Sequence, residues 1–298
     1  MIMILTLVVL ACLGLCLGSF VNAVVWRTRQ QSLVTSRQSS VKKTNSRRLS
    51  TEDSRLATKN NQLSILKGRS VCPNCLHELA PRDLIPVFSW LFLRGRCRYC
   101  HKPISKQYPI VELTMAAVFV SSYILWPQDF SGAGQWLLFS TWLATSVGLL
   151  ALAVYDWRWL LLPNKVVYPT FLVAAAGRAI YIVGYAPDKL SALLNWAGAI
   201  AVTSGLFYLI YNLSDKYIGG GDITLGLVTG TILATPFKAV LMIFFASILG
   251  TLFALPGLIS KSRGFQSKIP YGPFLIAATF IVLLFGPAIT DWYEQLLT

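Results

Sequence analysis

Ile2 to Val25 is an apolar run whose polar members are Thr6, Ser19 and Asn22, and the first 26 residues carry no charged side chain. Wound into a helix at about 1.5 Å per residue, such a run covers a hydrocarbon core of about 30 Å. Signal peptides carry basic residues before the apolar run and a small-residue cleavage site after it. Here Arg27 and Arg29 follow instead, and Val9-Leu10-Ala11-Cys12 only faintly resembles a lipoprotein cleavage box. The run therefore reads as a first transmembrane helix. Further apolar stretches lie near 110–126, 136–155, 166–185, 190–211, 223–237, 239–259 and 270–289, separated by Pro, Gly or charged residues. The predicted fold class is an all-α polytopic membrane protein with about eight transmembrane helices.

Composition agrees. Hydrophobic residues make up 55% and charged residues 13%, against about 45–50% and about 25% in soluble domains. The charge is concentrated: of 26 basic and 12 acidic residues, 17 basic and 4 acidic lie between Arg27 and Tyr108. Cytoplasmic loops are enriched in Lys and Arg, which places this insert inside. With eight spans, three more inward loops then hold Arg158, Lys165, Lys216, Lys261, Arg263 and Lys268. The outward connections and tail hold Lys189 and Lys238 beside Asp129, Asp188, Asp291 and Glu294. The loop asymmetry supports the same orientation without help from the insert.

The insert divides in two. Residues 27–70 are mostly Ser, Thr, Gln, Asn, Lys and Arg, with no aromatic residue from Thr28 to Leu66. Such a stretch cannot bury enough surface to offset the entropy of ordering, so a disordered basic cytoplasmic loop is expected. Without aromatic residues to stack on bases, its Lys42-Lys43 and Arg47-Arg48 pairs suit an anionic lipid surface better than nucleic acid.

Residues 71–108 carry Cys72-Pro-Asn-Cys75 and, after 21 residues, Cys97-Arg-Tyr-Cys100. Two CxxC knuckles at this spacing can set four thiolates tetrahedrally around one structural zinc ion, so a small zinc-ribbon-like insert is expected between the first two spans. His77 and His101 are alternative ligands. A reducing cytosol disfavours disulfides, a dithiol redox centre leaves one pair unused, and the haem-attachment reading of Cys97 to His101 ignores Cys72 and Cys75. Cys12 and Cys16, inside the first span, read as apolar fillers.

Ionisable residues at the edges of spans suggest function. Asp156 closes the third span and Asp222 opens the sixth, behind Gly219, Gly220 and Gly221. Although 66 residues apart, both fall at the cytoplasmic face and can meet at one depth. The three glycines remove side-chain bulk and permit positive φ, which would let an extended peptide approach the carboxylate. Two carboxylates sharing a proton supply the base and the acid that peptide hydrolysis needs. Helix-end polarity suggests Asp222 as base and Asp156 as acid. The alternative is that each caps a helix or pairs with a loop cation such as Arg158 or Lys216. Glu112, at the start of the second span, is either a substrate or cofactor contact or an interfacial charge.

Six stretches together carry a family resemblance: Gly18-Ser-Phe-Val-Asn-Ala-Val-Val-Trp-Arg27, the paired knuckles, Tyr108-Pro-Ile-Val-Glu112-Leu-Thr114, Asp156 to Asn164, Gly219 to Leu225, and Lys268-Ile-Pro-Tyr-Gly-Pro-Phe274. In this order the chain resembles the bifunctional leader-peptidase/N-methyltransferase family of type IV prepilin peptidases. The resemblance implies a bacterial inner-membrane aspartic peptidase of the GxGD class, with Asp156 and Asp222 catalytic and its active site on the cytoplasmic side. Such enzymes cut the leader of prepilins and pseudopilins after Gly. They then methylate the new N-terminal residue, usually Phe, with S-adenosylmethionine. Its site cannot be located in the sequence, since no nucleotide-binding Gly-rich turn is present. Thr224 stands where many relatives have Lys, and the linker from Arg27 to Val71 is longer than usual. Two other readings are a GxGD peptidase without methyltransferase activity and an Asp-dependent membrane transporter.

Overall fold

A computed structural model describes residues 1–43, 69–213, 219–259 and 269–297. Regular structure among them is helical, apart from two isolated antiparallel bridges, Val71 to Glu78 and Arg96 to Pro103. The chain divides into two compact units, Met1–Val118 and Phe119–Thr298.

In the first unit, α1 runs over Ile2–Lys43. The apolar run ends near Trp26, yet the helix does not, because Arg, Gln and Lys are good helix formers and no Pro or Gly intervenes. Residues 28–43 are thus helical, where the sequence suggests a disordered loop. The rest of that expected loop, 44–68, lies outside the described residues.

Along α1, Gly14, Gly18 and Asn22 recur every four residues and form one stripe against α3, Gln107–Ile124. A Cβ on Gly14 would stand 2.6 Å from Ala116 Cα, and one on Gly18 would stand 2.6 Å from Glu112 Cα. One turn further, Asn22 Nδ2 donates to the Tyr108 carbonyl at 3.1 Å, and Gln107 Nε2 donates to Asn22 Oδ1 at 3.2 Å. Glycine removes the side chains that would hold the helices apart, and lipid supplies no competing partner for the amides. Two of the resemblance-bearing stretches are the two sides of this seam. Between the helices lie the knuckles, a 3₁₀ turn at Pro81–Asp83 and a short α2, Phe88–Phe92.

The second unit contains α4 (Ala133–Trp159), α5 (Asn164–Gly184), α6 (Lys189–Ile200), a π-helical segment Ala201–Gly205, α7 (Leu206–Leu213), α8 (Gly220–Leu233), α9 (Pro236–Ile259) and α10 (Gly272–Leu297). Antiparallel α4 and α5 close on Gly148 against Thr170 and Gly177 against Thr141. α8 is the core element: Leu225, Val228 and Thr229 are fully buried. Its neighbour is the π segment, whose Thr203 Oγ1 donates to the Gly226 carbonyl at 2.7 Å and Ser204 Oγ to the Ile223 carbonyl at 2.9 Å. Gly226 and Gly230 face this segment without side chains, which lets the two backbones meet.

Helices occupy all eight apolar stretches. Six are long and apolar enough to cross a membrane: Ile2–Ser36, Ala133–Trp159, Asn164–Gly184, Lys189–Leu213, Pro236–Gly257 and Gly272–Thr290. α8, with 14 residues, is about 21 Å long and shorter than the hydrocarbon core. α3 falls outside the six as well. The protein is multi-pass, with six spanning candidates among the described residues where the sequence suggests about eight spans.

Candidate active site and metal centre

In the second unit, Asp156 occupies the last turn of α4 and is 6% exposed. Leu160 then ends the helix in the left-handed region at φ 52°, and Leu161 to Pro163 lead into α5. Asp222 lies in the first turn of α8, and Gly219 is the helix N-cap. The two carboxylates are close enough to interact through space. The Tyr271 hydroxyl is near Asp222 and lies 3.4 Å from Ser247 Oγ. Neither aspartate has an ion-pair partner among the described residues. Asp215, Lys216 and Lys268 lie outside those residues.

The glycines act differently from the expectation. Gly219 is extended at φ −76°, Gly220 and Gly221 begin the helix, and the one described glycine with positive φ is Gly95. Their use here is missing bulk. A Cβ on Gly221 would stand 3.0 Å from Leu162 Cβ, whereas Gly219 and Gly220 leave the approach to Asp222 open. Thr224 Oγ1 is spent on the Gly221 carbonyl at 2.8 Å.

Gly272, to which the sequence reading gives no role, touches the site directly. Its N–H donates to Asp156 Oδ2 at 3.1 Å from the first turn of α10. Asp156 therefore faces a helix N-terminus, as Asp222 does. Helix-end polarity consequently does not separate base from acid, and the two form a pair. The available signal was the Tyr271-Gly272-Pro273 stretch itself: a glycine opening a helix in a resemblance-bearing segment. A Cβ at Gly272 would lie 2.7 Å from Asp156 Oδ2. Gly272→Ala is therefore expected to displace that carboxylate and lower kcat for peptide cleavage by about 10²-fold. KM and thermal unfolding should move little, and an unchanged kcat would exclude this contact from the chemistry.

The first unit gathers the four cysteines. The Sγ atoms of Cys72, Cys75, Cys97 and Cys100 all lie within 4.8 Å of one another, and Cys72 Sγ is 3.9 Å from Cys100 Sγ. A tetrahedral zinc site with Zn–S bonds of about 2.3 Å requires S···S distances of about 3.8 Å. The donor set fits the ion. The two knuckles are conformational copies: the Cys72 N–H donates to the His77 carbonyl and the Cys97 N–H to the Lys102 carbonyl. Each turns through a left-handed residue, Leu76 or His101. His77 packs against Tyr99 with ring centroids 3.7 Å apart and the planes tilted by 36°, and neither histidine joins the cluster.

Burial pushes the Cys72 thiol up to about 11. Burial would raise Cys97 too, but N–H donation from Cys100 and Tyr99, with the adjacent thiols, brings it to about 7. Metal binding at such a cluster displaces protons. Asp83 fastens the second knuckle, accepting from Arg98 Nε at 2.7 Å and the Tyr99 hydroxyl at 3.0 Å.

Glu112 is buried at the α1/α3 seam, where it accepts the Val87 N–H at 2.7 Å and a hydrogen bond from Ser19. Val87 has φ 61°, a conformation a β-branched residue rarely adopts. Glu112 also lines a cavity of about 130 Å³ together with Arg27, Asp83, Trp90, Arg98 and Tyr108.

Residues 12–126 match the family description "Bacterial Peptidase A24 N-terminal domain", and residues 143–255 match "Type IV leader peptidase family". A protein of Pseudomonas aeruginosa named prepilin leader peptidase/N-methyltransferase is 31% identical over 284 residues, 95% of this chain and 91% of the relative. One so named from Bacillus subtilis is 30% identical over 78% of this chain and 88% of the relative. One from Aeromonas hydrophila is 32% identical over 77% of this chain and 76% of the relative. No solved structure matches the chain.

Proposed function

The chain belongs to the type IV leader peptidase family, and from that premise we propose that it cleaves the leader of prepilins or pseudopilins and methylates the new N-terminus. The observation that carries the peptidase reading is the Asp156/Asp222 pair, the first buried and the second half-buried, set at two helix ends beside glycines that leave Asp222 approachable. One carboxylate takes a proton from water as the water oxygen attacks the carbonyl carbon of the Gly that ends the leader. The other gives a proton to the amide nitrogen as the C–N bond breaks. The transporter alternative would place ionisable groups near the bilayer midplane, whereas these lie in a last and a first helical turn. We place the enzyme in the bacterial inner membrane with this pair at the cytoplasmic face, the side assigned to the basic insert.

For the methyl donor, the chemistry of the first-unit cavity is the test of fit. S-adenosylmethionine carries a sulfonium, an ammonium, a carboxylate and an aromatic base. The cavity offers the carboxylate of Glu112, the guanidinium of Arg27 and the rings of Trp90 and Tyr108, while Asp83 in its wall is held by Arg98 and Tyr99. The donor supplies a methyl group whose C–S bond breaks toward sulfur while the pilin amine forms the C–N bond. In this reading Glu112 would hold the cationic part of the donor, and the proton of the attacking amine would pass to water. Cys72, Cys75, Cys97 and Cys100 hold zinc as a structural ion that shapes the unit.

The test incubates membranes holding the protein with a prepilin and labelled S-adenosylmethionine, reading cleavage and methylation separately. Cleavage without methylation would leave the peptidase-only alternative; no cleavage overturns the proposal. Glu112→Gln keeps an acceptor for the Val87 N–H but removes the charge. Methylation should fall about tenfold, corresponding to about 1.4 kcal/mol, while cleavage stays within about twofold.

A further inference from the structure

The second unit holds a cavity of about 290 Å³, remote from the aspartates along its helices. Asp156 and Asp222 lie at the end of α4 and the start of α8. This cavity lies among the first half of α4, the end of α5, the first half of α6, the end of α8, the start of α9 and the middle of α10.

Two cations line it, Arg178 and Lys238, and no Asp or Glu does. They are close enough to repel each other. Among the described residues neither has an ion-pair partner. Arg178 Nη2 donates to the Ile232 carbonyl at 3.1 Å, and its guanidinium lies 5.8 Å from the Tyr181 ring centroid. Its Nε, however, is buried without a hydrogen-bond partner, and so is Nε1 of Trp126, another lining residue. Water alone would answer the two N–H groups but not the charge. Unpaired cations inside a membrane unit are costly, and they pair with an anion or mark a binding site.

We propose that this cavity is a binding site for a phosphate-bearing anion, held by the Arg178 guanidinium, the Lys238 ammonium and the Trp126 indole N–H. Arg178 presents a planar fork suited to a phosphate, and Lys238 adds a point charge. Two sources share this chemistry. Basic pockets between membrane helices take lipid headgroups. The aromatic cluster of Tyr123, Trp126, Phe130, Trp136 and Phe139 gathers at the same end, as side chains do at the headgroup level. Inorganic phosphate is the second source.

The experiment uses the full chain in neutral detergent. Native mass spectrometry measures retention of phosphatidylglycerol against phosphatidylcholine, and thermal unfolding is followed with inorganic phosphate or chloride at equal ionic strength. We expect phosphatidylglycerol to be preferred at least about tenfold, with the preference lost in Lys238→Gln and in Arg178→Gln. Because Arg178 also donates to Ile232, its removal can harm folding, so Lys238→Gln carries the decision. In chloride, Lys238→Gln should unfold cooperatively near the wild-type temperature, which shows that the fold is intact. The exposed Lys189, outside the lining, serves as Lys189→Gln control and should behave as wild type. Stabilisation by inorganic phosphate alone, lost in Lys238→Gln, would identify the free anion as the occupant. If neither probe distinguishes Lys238→Gln from wild type, the site is refuted. Those outcomes do not depend on whether the aspartate pair is a peptidase.

Discussion

Asp222→Asn and Asp156→Asn are each expected to lower prepilin cleavage by at least about 10³-fold while the protein remains folded and inserted. Asn matches Asp in shape, so the close packing beside Gly219 and Gly272 survives. What disappears is the proton chemistry: an amide neither takes a proton from water nor returns one to the departing nitrogen. Positioned acid–base groups contribute about 10²–10⁴-fold each, and a pair sharing one proton fails as a unit. The double variant should therefore be scarcely slower than either single one. The two residues hold their partners differently. Asp156 accepts the Gly272 N–H, so its Asn variant retains an acceptor oxygen and tests charge more than geometry.

The assay must keep the two reactions apart. A pilin presented with its leader already removed should be methylated normally by both variants, because no residue lining the first-unit cavity changes. Leader cleavage by Asp222→Asn at near the wild-type rate would overturn the mechanism. Loss of methylation on the pre-cut substrate would instead mean that the aspartates serve both reactions.

Why the aspartates could be found in sequence, and Gly272 could not, has a physical reason. An ionisable residue at the margin of an apolar stretch is expensive in lipid, so Asp156 and Asp222 stand out from hydropathy alone. The same holds for CxxC pairs, whose spacing is dictated by one ion's coordination. Gly272 works through its backbone N–H, and every residue except Pro has one. Only the register of α10 against α4 makes that N–H matter, and register is a tertiary property. Arg178 and Lys238 are a similar case: 60 residues separate them, and sequence showed Lys238 only as one outward charge. The helical extension to Lys43 was hidden because polar composition predicts exposure, and an exposed segment can still be a helix when its residues favour one. The positive φ expected at Gly219 to Gly221 confused two properties of glycine, flexibility and absence of bulk, and here the second is used.

Removing the zinc expected at the four cysteines should have the second large effect, and the burial pattern of the first unit says why. Between residues 69 and 106, Cys72 and Cys97 are the buried hydrophobic side chains. The 3₁₀ turn and α2 bury none. The salt bridge Arg69–Glu78 is a surface pair, worth at most about 1 kcal/mol, and Arg98–Asp83 ties down the second knuckle alone. A segment so poor in core would depend on an ion held by its thiols, as zinc-finger peptides do, where the metal supplies about 10–16 kcal/mol. Cys97→Ser, or a strong chelator on the wild type, is thus expected to free the metal and open residues 69–106 to proteolysis. The α1/α3 seam, built on Gly14, Gly18 and Asn22, should persist, because none of its contacts passes through the knuckles. Methylation should then fall more than about tenfold, since Asp83, Trp90 and Arg98 line the cavity from the unfolded segment. Cleavage should fall less, because Asp156, Asp222 and Gly272 all belong to the second unit. Elemental analysis decides the premise. Folded protein without zinc, with 69–106 still resistant to protease, would show that the thiols cluster without an ion and that this segment is held by other forces.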